Sequence, residues 1–253
     1  MKEGRPEGPV SLDAADLPRG LRDRVLLLDG VGSTQDEARR LAGPAPLYVV
    51  AETQSAGRGR RRRRWVSGRG GIWLTCVAPP RWRSLHVYAC CASLAVLDSL
   101  EGLGVRGSIK WPNDILVDGR KVCGILTEAE FSGERLDFVL VGVGLNVNNA
   151  VEGVRGDYVP ASVASVLGGP VDRGRLLAEL VTRMEGLLLH GDERALLADY
   201  AGRCGTIGSR VRVDPGDGEI TGVATGIGED GSLLLDVDGR TVRVLSGDAL
   251  YLR

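Results

Sequence analysis

The sequence predicts an α+β chain in two unequal parts. Two observations carry this. Over the first two hundred residues, apolar runs of strand character (Leu47 to Ala51, Gly71 to Val77, Asp137 to Val147) are separated by stretches of helical spacing (Ser84 to Leu100, Asp172 to His190). From Gly205 onward helical spacing disappears, and Asp-Gly pairs at Asp217-Gly218, Asp230-Gly231 and Asp238-Gly239 punctuate short runs of strand residues. The second part reads as a small all-β barrel. With 253 residues and 43% hydrophobic content, the chain has material for one medium and one small domain. The expected boundaries are a flexible lead-in at 1–22, a main domain at 23–203 and the barrel at 204–253.

Taken in order, Met1 to Gly20 is rich in Pro, Gly and charge, and too short for a helix-turn-helix. Arg24 to Leu28 reads as a short strand. Thr34 and Glu37 make a Thr-x-x-Glu capping-box pattern, opening a helix with Ala38, Leu41 and Ala42 on one face that stops before Gly43-Pro44. The exposed start of that helix, with the Ser33 and Thr34 hydroxyls, could serve capping alone or bind a polar ligand. After the strands on either side of residue 60, Ser84 to Leu100 is helical.

Asp118-Gly119, between Ile115–Val117 and Val122–Leu126, is a hairpin signal. It places Lys121 at the start of one strand and Asn113 and Asp114 at the start of its partner. Gly142 and Gly144 share one face of the next strand, because side chains alternate. They leave room for a ligand or a crossing chain, or mark a bulge. A loop follows from Asn149 to Pro160, then a short helix at Ser162 to Leu167 and helices at Asp172 to His190 and Glu193 to Ala201. The barrel strands are expected at Arg210–Val213, Glu219–Thr225, Ser232–Val237, Thr241–Leu245 and Ala249–Leu252.

The segment from Gly57 to Trp65 holds two glycines, six arginines and one tryptophan, on a loop between two strands. Guanidinium groups stay charged at neutral pH and grip phosphates and carboxylates in a fork. Adjacent arginines repel one another, so the loop is expected to be mobile until a polyanion binds. By itself the run fits a ligand loop, a nucleic-acid patch or a solvated loop. The net charge of −1, from 32 basic and 33 acidic residues, weakens the nucleic-acid reading.

Five cysteines without metal-ligand spacing fit buried thiols in a reducing compartment, and two distant histidines disfavour a histidine-based metal site or triad. No signal peptide or membrane-spanning run is visible, so a cytoplasmic location is expected.

Five segments in this order, Ser33-Thr34-Gln35, Glu52 to Arg61, Lys110 to Asp114, Gly119 to Glu128 and Gly142-x-Gly144-x-Asn146, resemble the biotin protein ligases. The resemblance covers nearly the whole chain from about residue 25. It implies a mixed sheet of the class II synthetase kind flanked by helices, followed by a barrel of the Src-homology-3 type. It implies ATP-dependent transfer of biotin, through biotinyl-5′-AMP, to a lysine of a biotin carboxyl carrier domain, with ATP and Mg²⁺ and no bound prosthetic group.

By the same resemblance the catalytic residues are Lys121, Arg60 and Asp114, with Asp114 either orienting Lys121 or assisting the acceptor amine. The biotin site takes Ser33, Thr34, Gln35, Gln54, Gly57, Arg58, Gly59, Arg60, Lys121, Gly124, Gly142 and Gly144. The ATP site takes Arg58, Arg60, Arg61, Trp65 (stacked on adenine), Asn113, Lys121 and Asn146. The Mg²⁺ ligands are unassigned. A monomer or homodimer and no DNA partner are expected. One departure stands out: the family loop carries glycine where this chain has Arg62. The neighbouring lipoate ligases share the fold, but their Arg-Arg-x-Ser-Gly-Gly-Gly stretch is missing here.

Overall fold

The computed structural model describes residues 11–43, 47–151, 158–216 and 218–252. Residues 1–10, part of the Asn149–Pro160 loop, Pro44 and Asp217 of the sequence reading lie outside them.

The main domain is a seven-stranded mixed sheet. Its strands are β1 (Val25–Val31), β2 (Leu47–Gln54), β3 (Ile72–Ala78), β4 (Ser108–Lys110), β5 (Asp114–Val117), β6 (Arg120–Ser132) and β7 (Arg135–Leu145). They lie in the order β1-β2-β3-β7-β6-β5-β4. Only β1 and β2 run parallel; the other neighbours are antiparallel. The hairpin at Asp118-Gly119 forms as its residues require, both with positive φ (49° and 71°).

One face of the sheet packs on helix α3 (Leu85–Glu101), backed by α5 (Arg173–His190) and α6 (Glu193–Gly202). Helix α3 is buried almost all round, from Val87 to Leu97, because it lies between sheet and helices. The other face carries α2 (Thr34–Leu41), whose Ala38 packs with Val49, Val77 and Leu140. Two shorter helices are α1 (Arg19–Arg22) and α4 (Val163–Leu167). A buried ion pair, Arg173 with Glu52 at 3.0 Å, ties α5 to β2.

The lead-in expected to be loose from Ser11 to Arg22 is packed. Leu17 and Leu21 are core residues, and the Leu12 N–H donates to Glu52 Oε1 at 2.6 Å. Its Pro, Gly and charged residues mask a two-leucine anchor whose partners lie far along the chain.

The C-terminal part is a five-stranded antiparallel sheet. Its strands are β8 (Arg210–Val213), β9 (Ile220–Ile227), β10 (Leu233–Val237), β11 (Arg240–Val244) and β12 (Ala249–Tyr251), in the order β11-β10-β9-β8-β12. The last strand crosses to the opposite edge, and among the described residues no ladder joins it to β11, so the barrel is open there. Val211, Val213, Ala224, Leu233 and Leu235 are fully buried and continuous with the main core. No described helix is long and apolar enough to cross a membrane.

Candidate active site

Alternation along β7 builds the floor of the site. Leu140, Gly142 and Gly144 share the face that carries α2. Leu140 packs beneath α2. At Gly142 the missing side chain admits Gln35, whose amide would lie 3.3 Å from an added Cβ. Gly144 pairs in register with Gly124 of β6, and the two make a trough without side chains. The Trp65 ring fills it: a Cβ on Gly144 would lie 2.5 Å from Trp65 Nε1, and one on Gly124 would lie 3.0 Å from Trp65 Cζ3. These two glycines therefore make room for Trp65, which sequence reasoning had placed against adenine. Above this floor opens a cavity of about 440 Å³.

At one end of the cavity stand Ser33, Thr34, Gln35 and Gln54. Ser33 caps α2 with its backbone and makes no side-chain cap bond. Thr34 is the first helical residue, so the Thr34–Glu37 capping box does not form, and Glu37 pairs with Arg40 instead. The Thr34 hydroxyl is taken by tertiary partners: it donates to Gln54 Oε1 (3.1 Å) and accepts from Thr75 Oγ1 (2.8 Å). The Thr34 N–H also donates to Gln54 Oε1 (2.8 Å), and Gln54 Nε2 donates to Ser67 Oγ (2.8 Å). Of the cavity lining, the buried atoms Gln35 Oε1 and Trp65 Nε1 have no hydrogen-bond partner among the described residues. Such atoms are costly unless a ligand completes them.

At the other end the hairpin brings Lys121 Nζ to 2.7 Å from Asp114 Oδ1. Asp114 is buried, and its second oxygen lies 3.9 Å from the buried Lys110 Nζ. Lys121 Nζ lies 5.2 Å from the Trp65 ring centroid, within cation–π range. Asn113 is clamped across β6: its Nδ2 donates to Ile125 O at 2.6 Å, and its carbonyl accepts from Ile125 N–H. Asn146 is buried beside the cavity, where its Oδ1 accepts from Asn149 Nδ2 at 3.0 Å.

The arginine loop lines the cavity, and four of its arginines, Arg58, Arg60, Arg61 and Arg63, are met by carboxylates of the chain itself. Arg58 forks onto Asp36 (2.6 and 2.7 Å), with Arg39 beside it. The Arg58 hydrogen bond holds the Asp36 carboxyl below its ordinary range, against the opposing effect of burial. Arg60 Nη1 reaches Asn113 Oδ1 (3.3 Å), Gly247 O (3.0 Å) and Asp248 Oδ1 (3.1 Å). Burial pulls the Arg60 pKa down and Asp248 pulls it back up; an arginine so placed stays charged at neutral pH. Arg63 pairs with Asp248 Oδ2 at 3.1 Å.

Two residues expected at the ligand do not line the cavity. Arg61 turns to Asp214 of the C-terminal part, Nη1 to Oδ2 3.5 Å, because its backbone is left-handed (φ 53°). Gly57 forms the loop base, where a Cβ would lie 2.5 Å from the Trp65 carbonyl oxygen. The remaining expected residues, Gly59 among them, line one cavity. Sequence reasoning missed Thr75, Lys110, Tyr158 and Asp248 in that lining. Lys110 lay inside a quoted motif, so its signal was available. Asp248 lies 188 residues from Arg60, and no local pattern announces it. No cluster of three or more His, Cys, Asp or Glu side chains suited to a metal occurs among the described residues.

Comparison with known proteins gives a consistent picture. The Biotin/lipoate A/B protein ligase family model matches residues 32–146, and the Biotin protein ligase C terminal domain model matches residues 206–250. A biotin–[acetyl-CoA-carboxylase] ligase of Mycobacterium tuberculosis is 37% identical, across 93% of this chain and 95% of that protein. The bifunctional ligase/repressor BirA of Bacillus subtilis is 31% identical, across 95% of this chain and 79% of its own length. The solved biotin protein ligase of Aquifex aeolicus in complex with biotin and ATP superposes with a TM-score of 0.79 at 26% identity, covering 91% of this chain and 99% of that one.

Proposed function

The chain belongs to the biotin protein ligase family, and from that premise we propose how its cavity activates biotin with ATP and transfers it to a carrier lysine. The reaction is ATP-dependent attachment of biotin, through biotinyl-5′-AMP, to a lysine of a biotin carboxyl carrier domain of a carboxylase such as acetyl-CoA carboxylase. One observation carries the residue assignment: a single cavity gathers residues from all five sequence motifs, a hydrogen-bonding end opposite a cationic end.

The hydrogen-bonding end suits a small neutral ring system, which offers no charge and has to be read by fixed donors and acceptors. A cyclic urea carries both N–H donors and a carbonyl. It can therefore complete Gln35 Oε1 and compete for the Thr34 and Gln54 groups. The cationic end suits the reacting centre. A biotin carboxylate oxygen bonds to the α-phosphorus of ATP, the bond from that phosphorus to the bridging oxygen breaks, and pyrophosphate leaves with the electron pair. Arg60 already grips the ATP phosphates in the ground state and, with Lys121, stabilises the charge that builds on the phosphoryl oxygens.

In the second step a lysine nitrogen of the carrier attacks the acyl carbon, AMP leaves, and the amine gives up a proton. Asp114 is committed to Lys121 at 2.7 Å, which supports an orienting role over direct contact with the amine. Mg²⁺ would enter with ATP and offset part of the phosphate charge.

Biotin-dependent exchange of pyrophosphate into ATP tests the first step without the carrier, with lipoate as a parallel substrate. Exchange with biotin alone is expected. Exchange with lipoate alone would move this chain to the neighbouring ligases, and exchange with neither would remove the catalytic assignment.

A further inference from the structure

The amino end of α3 is a mount for two loops of the C-terminal sheet, and no step of the proposed chemistry involves it. His86, in the first turn, is half-buried there. Its ring stacks on Trp111, with centroids 6.2 Å apart and planes 18° apart. Its Nε2 lies 2.5 Å from the Leu245 carbonyl oxygen, a distance that requires an N–H on that nitrogen as donor. Two further bonds fix the same mount: Ser84 Oγ donates to Asp230 O (2.7 Å), and Trp111 Nε1 donates to Gly231 O (3.0 Å). A Cβ on Gly231 would overlap the His86 side chain, so the approach is close.

Leu245 begins the segment that ends at Asp248. Gly247 O and Asp248 Oδ1 are two of the three acceptors of Arg60 Nη1, and Asp248 Oδ2 holds Arg63. The carbonyl that His86 anchors is thus two residues from the first Arg60 acceptor and three from the second. Packing of α3 alone does not call for this arrangement. A leucine at 86 would fill the space on Trp111 and leave the Leu245 carbonyl without its donor.

We propose that His86 is a positioning residue for adenylation: by holding the Leu245 carbonyl it fixes the 245–248 segment, and through that segment the Arg60 guanidinium beside Asn113. The inference rests on the biotin and ATP reading of the cavity. Burial lowers the His86 pKa, with the Leu245 carbonyl acting the other way, Arg60 with burial and Asp230 against it. The ring is therefore a neutral donor at neutral pH.

The test is pyrophosphate exchange by His86→Leu and His86→Gln, read as separate KM and kcat values for ATP, with the biotin KM as internal control. Gln places an amide N–H close to the position of Nε2. The KM for ATP is expected to rise about tenfold in His86→Leu, the scale of one weakened hydrogen bond to a charged group. It should return to within about threefold of wild type in His86→Gln, since most of that bond is restored. The biotin KM should move less than the KM for ATP in both, because the Ser33, Thr34 and Gln54 end of the cavity is untouched.

A role in packing alone would lower kcat and the unfolding temperature in both variants without moving the KM for ATP, and that result overturns the inference. So does a Gln variant no better than Leu. If His86→Leu folds poorly, His86→Asn takes its place, because its amide falls short of Leu245. Wild-type protein without biotin-dependent exchange would fail the ligase reading; wild-type exchange with an unmoved KM in the variants fails only this inference.

Discussion

Lys121 owes its place to a two-residue turn. Asp118 and Gly119 take the positive φ values that a tight hairpin needs, which sets Lys121 near Asp114 across the ladder. That much was legible locally, and so was the pairing it implies. Lys121→Ala should lower biotin-dependent exchange at least tenfold, on the order of one electrostatic contact to the transition state, while biotin still binds; near-normal turnover would remove the assigned role. Arg62 was legible only as a departure from the family loop. The structure gives the departure a physical meaning, because Arg62 has φ 58°. An L-residue there costs roughly 1–2 kcal/mol, while a glycine loses roughly 0.5–1 kcal/mol through its freer unfolded chain. The first effect wins. Arg62→Gly should raise the unfolding temperature by a few degrees, and Arg62→Ala, which keeps the strain, should not. Equal shifts for the two variants would contradict the account. Thr34 shows the limit of local reading: its capping pattern is real in sequence, but Gln54 and Thr75 claim the hydroxyl.

Among the elements, β7 was the most informative strand and the most incompletely read. Its alternation announced a missing side chain at Gly142 and Gly144 on one face. What fills each gap depends on neighbours in space: Gln35 from α2 over Gly142, and Trp65 from the arginine loop over Gly144. Most strand and helix identities followed from periodicity and Asp-Gly turns, because those signals are local; the three-residue β4 and the run of β6 on to Ser132 did not. The packed segment before β1 did not, since Leu17 and Leu21 become core only when the distant helices arrive. The trough itself can be tested. Gly144→Ala puts a methyl 2.5 Å from Trp65 Nε1, and something has to move. Overpacking of this kind costs about 1–3 kcal/mol. Trp65 lines the cavity, so displacing its ring should weaken biotin binding as well as stability. Gly124→Ala, with its contact at 3.0 Å, should cost less. Titration calorimetry giving equal biotin affinities for wild type and Gly144→Ala would show that the ring is no part of the biotin wall.

Across the whole molecule, the arginine loop joins the two parts. Arg60 and Arg63 meet Asp248 and Arg61 meets Asp214, while Arg58 stays on α2 through Asp36. Composition showed a cationic loop in a balanced chain. It could not show that the balancing charges stand opposite that loop, because the C-terminal aspartates are far along the sequence. Substrate phosphates entering here compete with the carboxylates already on the arginines, so ligand affinity is a difference between two sets of ion pairs. The cavity nevertheless exists only in the folded chain, since its lining comes from elements more than a hundred residues apart, with Asp248 from the C-terminal part. Mass action then fixes the outcome. Biotin and Mg²⁺–ATP that form bound adenylate should stabilise the fold by about 2.7 kcal/mol at one hundred times the dissociation constant. For a chain of this size that corresponds to roughly 5–10 °C in unfolding temperature. The shift should be larger with both substrates than with either alone, because only the pair yields an adenylate that spans both ends of the cavity. Lipoate with ATP should give no more than ATP alone. A differential scan in which biotin adds nothing to the ATP shift would mean that the two ends of the cavity do not act on one ligand.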